Sequence, residues 1–179
     1  IPEEFKGDTD GYVDMICSEM IPAVAKEKLA IFCDVFCEDG FFDVNQSRKI
    51  LETARDYGIS PRLHADEFAD SGAAELAADI GACSADHLMA TSQRGIEKLA
   101  NSDVISTLLP GTTMFLGSDN YVDARKFIRA GCDIALATDF NPGTCTIQSM
   151  SQIMFLGAVK CGLTVDECFK ASTITPARS

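Results

Sequence analysis

Short apolar runs alternate with amphipathic segments along most of the chain, from residue 30 onward. Five of the runs have the length and the β-prone composition of buried strands. They are Ala30–Phe36, Ile59–His64, Ala82–His87, Val104–Leu109 and Cys132–Thr138. Their last residues are 22 to 29 positions apart, which is the length of a repeated strand–helix unit. The pattern therefore predicts five consecutive βα units.

The segments between these runs carry apolar residues at helical spacing, and several of them end at a glycine. Gly58, Gly81 and Gly131 are natural C-terminal stops for three predicted helices. The sequence Thr164-Val-Asp-Glu167 is typical of a capping box and predicts the start of a last helix. The predicted helices are Asp10–Val24, Asn45–Tyr57, Ala73–Ile80, Ser92–Ala100, Val122–Ala130, Gln148–Cys161 and the one that follows Thr164.

An α/β fold of this regularity is either part of a TIM (β/α)8 barrel or a five-stranded doubly wound sheet. An open sheet gathers its ligand-binding groups at one switch point, whereas a barrel has them at the ends of several strands. Polar clusters end several different runs here. We therefore favour a partial TIM barrel made of about the last five βα units. Such a piece should have two unpaired sheet edges.

The charge and the cysteine content limit the partners and the location. The 179 residues carry a net charge of −12 without a basic stripe, so we expect no nucleic-acid partner. No apolar run approaches the roughly 18 residues that span a bilayer, and no secretory signal is visible. The eight cysteines form no C-x-x-C pair and mostly lie in apolar segments, which favours reduced thiols over disulfides. We expect no membrane partner and a cytoplasmic location.

Three polar clusters follow predicted strands, at the point where each strand ends. His64-Ala-Asp-Glu67 ends the second run, Asp86-His87 ends the third, and Asp139-Phe-Asn141 follows the fifth. The chain has only two histidines, and both end a predicted strand. Because the carboxyl ends of parallel strands meet at one edge of the sheet, we expect an active site there. Imidazole and carboxylate groups in one place favour metal-assisted hydrolysis.

His64 is a candidate metal ligand, because neutral imidazole is the commonest side-chain ligand of transition metals. The alternative is a core histidine that forms a hydrogen bond with a neighbour. Glu67 follows it within one turn and could orient a water molecule or accept hydrogen bonds from substrate N–H groups. Asp66 is expected to begin a solvated loop. The alternative for Glu67 is that it also belongs to this solvated loop and has no role in the site.

His87 and Asp139 are candidate catalytic residues. An imidazole at His87 could donate to a carbonyl oxygen or pass a proton to a leaving nitrogen, with a purely structural role as the alternative. Asp139 ends the most apolar run, where a buried carboxylate needs a cation or a metal as its partner. It could bind the metal through one oxygen and take a proton from water through the other. The competing role for Asp139 is a helix cap.

The segment that follows Asp139 is typical of a turn between a strand and a helix. It places the backbone N–H groups of Gly143 and Thr144 near a predicted helix start. Such N–H groups would suit a carboxylate on the substrate.

Four segments together resemble the imidazolonepropionases of the amidohydrolase superfamily. Their order and spacing match across nearly the whole chain, and Asp139-Phe-Asn-Pro-Gly143 is the most distinctive of their features. The resemblance implies a (β/α)8 barrel beside a small β domain, one zinc or iron ion, and hydrolysis of 4-imidazolone-5-propanoate to N-formimidoyl-L-glutamate in histidine degradation. The four segments are His64-Ala-Asp-Glu-Phe68, Ser84-Ala-Asp-His-Leu88, Leu108-Leu-Pro-Gly-Thr112 and Ala137-Thr-Asp-Phe-Asn-Pro-Gly-Thr144.

Carried onto this sequence, the resemblance implies a role for each candidate residue. His64 and Asp139 would bind the metal, and Asp139 would lie near the water. Glu67 would contact the ring or help to activate the water. His87 would polarise the carbonyl group and assist proton transfer. The residues that would hold the substrate and its propanoate side are Asn141, Gly143 and Thr144.

One part of the family's pattern is missing from this chain. The H-x-H pair of the first barrel strand, which completes the metal site, is absent, and the chain begins at Ile1 rather than at a methionine. We expect residues 1–179 to be a single fragment of the barrel domain, without the early strands and the small β domain. Such a fragment would be inactive by itself.

Two other functions are compatible with these residues. Another amidohydrolase, such as an aromatic-ring deaminase, would share the histidine and aspartate ligands but need not share Asn141-Pro-Gly143. A noncatalytic barrel remnant could instead serve as an interaction module. We expect a small-molecule substrate as the partner and a homodimer as the candidate assembly.

Overall fold

The computed structural model describes residues 1–179. Five parallel strands form one sheet in the order β1-β2-β3-β4-β5. This sequential order confirms the predicted partial barrel, because a doubly wound sheet would reverse its strand order at a switch point. Strands β1 and β5 are the two edges. The strands are β1 Phe32–Cys37, β2 Ser60–Ala65, β3 Ser84–His87, β4 Ile105–Leu108 and β5 Ile134–Leu136.

Nine α-helices accompany the sheet, and most of them connect one strand to the next. Each predicted strand is confirmed with its ends shifted by at most two residues, and the predicted helices from residue 45 onward are confirmed with similar shifts. Short 3₁₀ segments lie at Glu3–Phe5 and Pro176–Arg178. The helices are α1 Thr9–Met15, α2 Ile21–Glu27, α3 Val44–Asp56, α4 Ala73–Ile80, α5 Gln93–Ala100, α6 Pro110–Phe115, α7 Ala124–Ala130, α8 Met150–Lys160 and α9 Val165–Ser172.

The first predicted helix is interrupted. The residues Ile16–Met20 form a π-helical turn between α1 and α2. Pro22 explains this interruption, because proline has no N–H to donate to the preceding turn and its ring crowds the backbone there. Helix α6 was not predicted, and it is only six residues long.

The two faces of the sheet have different environments, and this difference positions the polar groups. Along β2, Pro61, Leu63 and Ala65 are buried under α3 and α4. Arg62 and His64 alternate with them on the opposite face and are only half-buried. A cavity of about 220 Å³ on this face is lined by residues from β2 to β5. None of the helices has the length and apolar character that crossing a bilayer requires.

The last helix is tied to α7 by a charged contact that gives a testable pH dependence. Glu167 completes the capping box of α9 with Thr164 and accepts a hydrogen bond from the Arg125 guanidinium. The Arg125 contact, together with the capping hydrogen bond, lowers the pKa of Glu167 from 4.5 to about 2. Because the folded-state pKa is depressed, ionised Glu167 stabilises the fold above about pH 4.5, and this contribution is lost as the pH falls towards 2.

We expect Glu167→Gln to reduce the free energy of unfolding at pH 7 by about 0.5–1 kcal/mol, the range for a partly exposed ion pair. Glutamine keeps the capping box, so the loss should come from the charge of Glu167, through its ion pair with Arg125 and its place in the first turn of α9. Urea unfolding at pH 7 and pH 3 should show a smaller acid-induced loss in this variant than in the parent. Asp166→Asn, at an exposed neighbouring position, is the control. Equal acid-induced losses in Glu167→Gln and the parent would contradict the prediction.

Candidate functional site

The two histidines and Asp139 come together at the carboxyl ends of the strands. His64 is the penultimate residue of β2, His87 is the last residue of β3, and Asp139 follows β5 by three residues. One ligand atom from each of the three lies within 4.8 Å of the others. The two imidazole rings are 5.1 Å apart between centroids. The sequence predicts a role for His87 beside the metal, and the structure places its imidazole among the groups that could bind a metal ion.

His64 lies in a strongly negative environment. Its Nδ1 atom is 2.8 Å from Oδ2 of Asp34, an ion-pair distance, although the N–H direction does not give an aligned hydrogen bond. Burial alone would lower the pKa of His64, but the Asp34 carboxylate and two others outweigh burial and raise it to about 8. The two others are Asp86 and Asp139. This cluster of negative charge favours a cation.

Glu67 and His87 are buried together beside this cluster. Oε1 of Glu67 lies 3.6 Å from Nδ1 of His87. Burial, reinforced by the nearby charge of His64, lowers the pKa of His87 to about 3. Burial raises the pKa of Glu67 to about 7, against the opposing effect of His64. At neutral pH the contact therefore joins a neutral imidazole to a carboxyl group that titrates near pH 7, and it is not a permanent ion pair.

The backbone is strained at the strand ends that carry these groups. His87 has a φ of 79°, Asp139 a φ of 51° and Asp66 a φ of 49°. Residues other than glycine pay about 1–3 kcal/mol for such left-handed conformations, which concentrate at functional sites. The strain indicates that packing and hydrogen bonds hold these side chains in defined positions.

Asp66 is fully buried, so the prediction that it begins a solvated loop was wrong. Its carboxylate accepts hydrogen bonds from the backbone N–H groups at the start of α4 and from two hydroxyl groups. Glu67 is also buried, with 6% of its surface exposed. The donors to Asp66 are Ser71 N, Ser71 Oγ, Ala73 N, Ala74 N and Thr91 Oγ1. Asp66 thus anchors the loop that carries Glu67.

The loop after Asp139 is closed by its own hydrogen bonds. Asn141 Oδ1 accepts from the N–H groups of Gly143 at 2.8 Å and Thr144 at 2.7 Å, and Asn141 Nδ2 donates to the carbonyl oxygen of Asp139 at 2.7 Å. These N–H groups are therefore already engaged, and the next helix, α8, begins only at Met150. The prediction that these N–H groups lie near a helix start was therefore wrong, and Asp139 does not cap a helix.

Two acidic residues near the site were not predicted from the sequence. Asp34 lies on β1, diagonal to His64 across the β1–β2 pair. Glu38 follows β1, is 3% exposed, and accepts a 2.8 Å hydrogen bond from the backbone N–H of Phe68, next to Glu67. The signals that could have identified them are a carboxylate inside the run Ala30–Phe36 and a second carboxylate two residues after that run.

The cluster of His64, His87 and Asp139 fits a divalent metal ion. A metal with bonds of about 2.0–2.2 Å would hold its ligand atoms within about 4.4 Å of one another, close to the spacing found here. Nδ1 of His87 is buried and has no hydrogen-bond partner within the protein. Imidazole nitrogens and a carboxylate oxygen are also the donor types that zinc and iron bind.

The parallel sheet and its sequential order define a partial (β/α)8 barrel, and the polar cluster lies at the carboxyl ends of its strands. No family model matches the chain. Among solved structures, the fold is similar to a triazine hydrolase variant, with a TM-score of 0.71, 14% identity and coverage of 93% of this chain and 42% of that one. It is also similar to an adenosine deaminase from Xanthomonas campestris with bound zinc, with a TM-score of 0.61, 17% identity and coverage of 77% and 36%.

The chain is homologous to the imidazolonepropionases over its whole length. It is 46% identical to the imidazolonepropionase of Alkaliphilus oremlandii over 177 residues, 99% of this chain and 42% of that protein. It is 49% identical to that of Shouchella clausii over 179 residues, 100% of this chain and 40% of that protein. The chain thus spans about two fifths of the length of these relatives.

Proposed function

We propose that the polypeptide carrying this chain hydrolyses 4-imidazolone-5-propanoate to N-formimidoyl-L-glutamate. The observation that carries the proposal is the convergence of His64, His87 and Asp139, in a chain 46–49% identical to imidazolonepropionases. In this reaction the amide C–N bond of the ring breaks, the water oxygen adds to the carbonyl carbon, and a proton goes to the leaving nitrogen. The proposed substrate is a small molecule. The proposed location is the cytoplasm, because eight cysteines without disulfide bonds are compatible with a reducing compartment.

The proposal includes one divalent ion, zinc or iron. His64 and Asp139 would hold it, and His87 lies close enough to join them. When bound, such an ion makes water a stronger nucleophile at neutral pH and polarises the carbonyl group.

Three residues of the site would take part in the proton transfers. Asp139 would accept a proton from the attacking water. His87 is neutral at pH 7 because burial depresses its pKa, so its imidazole N–H can donate a hydrogen bond to the carbonyl oxygen. The proton that Asp139 takes from water would then pass to the leaving nitrogen with the assistance of His87. Glu67, with a pKa of about 7, would contact the ring or help to orient the water. Asn141 accepts hydrogen bonds from the N–H groups of Gly143 and Thr144, and it would hold this loop in the conformation that contacts the substrate.

The test is turnover by the complete polypeptide after metal removal and reloading with zinc or iron. We expect the metal-free protein to lose activity on the imidazolone and to regain it with stoichiometric metal. A ring amine such as adenosine is the comparison substrate. Deamination of the ring amine without hydrolysis of the imidazolone would make the chain part of a different amidohydrolase. Failure to bind either metal would favour the noncatalytic alternative.

A further inference from the structure

The segment Leu108–Thr112 has no role in the proposed reaction, yet it places one hydroxyl group against the metal-binding carboxylate. Thr112 lies on α6, directly after β4, and only 1% of its surface is exposed. Its Oγ1 donates a hydrogen bond to Oδ2 of Asp139. This is the only hydrogen bond that the Asp139 carboxylate accepts from the protein.

The residues around Thr112 explain why the hydroxyl group reaches that position. Pro110 begins α6, where its missing N–H is not needed. A Cβ at Gly111 would lie 2.8 Å from Sγ of Cys145 and 3.0 Å from Cδ1 of Ile153. Glycine therefore lets α6 approach the segment that follows Asp139 more closely than any other residue could.

We propose that Thr112 is a positioning residue that fixes the orientation of the Asp139 carboxylate towards the two histidines. The proposal extends the metal site of the proposed function. A carboxylate rotates easily about its last torsion, and one buried donor on Oδ2 restricts that rotation. Oδ1 keeps no hydrogen-bond partner in the protein and stays available to a metal or a proton. Outer contacts of this kind typically change metal affinity or activity by about 10–100-fold.

A matched pair of variants separates the hydroxyl group from packing. Thr112→Val keeps the branched shape but removes the donor, whereas Thr112→Ser keeps the donor and removes the methyl group. Thr113→Val is the control, because Thr113 is equally buried, at 2%, and forms no hydrogen bond with Asp139. The probe is Co²⁺, whose visible spectrum reports both binding and the geometry of the ligands.

In the complete polypeptide, we expect Thr112→Val to weaken Co²⁺ binding roughly 10–100-fold and to alter the Co²⁺ spectrum. It should lower kcat on the imidazolone by a similar factor, with little change in KM. Thr112→Ser and Thr113→Val should retain the parent affinity and spectrum. A folded Thr112→Val protein with parental Co²⁺ affinity and spectrum would overturn the proposal.

If Thr112→Val does not fold, the Co²⁺ affinity of Thr112→Ser tests the role of the hydroxyl group. Parental Co²⁺ affinity in the serine variant supports the role of the hydroxyl group, and a loss there assigns the effect to packing and overturns the proposal. The Co²⁺ measurements are independent of turnover. If no variant, including the parent, hydrolyses the imidazolone, the proposed substrate is wrong while the result for Thr112 still stands.

Discussion

Replacing Asp139 with asparagine should lower kcat on 4-imidazolone-5-propanoate by roughly 10²–10⁴-fold, with a much smaller effect on KM. The amide keeps most of the side-chain volume and can still accept the hydrogen bond from Thr112. It cannot take a proton from water. A loss of this size corresponds to about 3–5 kcal/mol of transition-state stabilisation, the usual contribution of a general base.

The measurement is steady-state kinetics of the complete polypeptide, with metal content determined for every preparation. Asp119→Asn, an exposed position with no contact to the cluster, is the matched control. Near-parental kcat in a metal-replete Asp139→Asn protein would remove Asp139 from proton transfer. Glu67, which titrates near pH 7, would then be the leading base.

Most of the fold could be predicted because each strand is a short apolar run that ends in a polar cluster or a glycine turn. The spacing of the runs determined the number of βα units, and the polar clusters distinguished a barrel from a doubly wound sheet. Helix α6 could not be predicted in this way. It has six residues, and Gly111 and its two threonines have weak helix propensity, so its stability comes from packing against Cys145 and Ile153.

The site was predictable to the extent that its residues end strands. His64, His87 and Asp139 share that position, and parallel strands bring them to one edge of the sheet. Asp34 was missed because it lies inside a strand, where an inward-facing polar residue looks like a break in an apolar pattern. Contacts between distant segments, such as that of Thr112 with Asp139, have no local pattern and depend on how α6 packs.

The environment of Asp66 also depends on distant segments, and it leads to the largest expected effect on stability. Nothing beside Asp66 in the sequence shows that its carboxylate will accept five hydrogen bonds. Two of the donors are the first N–H groups of α4, whose N-cap residue, Gly72, has no side chain to cap them. Asp66 therefore replaces the missing cap of α4 and holds the loop that carries Glu67.

We expect Asp66→Ala to lower the free energy of unfolding by about 3–5 kcal/mol, because several buried donors lose their acceptor at once. Asp66→Asn should lose nearly as much, since its NH₂ group cannot accept from the N–H groups that face it. Urea unfolding of the complete polypeptide measures the effect. Asp70→Ala is the control, because Asp70 lies on the same loop, is exposed and accepts no hydrogen bond from the protein. A loss below about 1 kcal/mol for Asp66→Ala would mean that water replaces the carboxylate at little cost, and that the start of α4 is stabilised mainly by its apolar face.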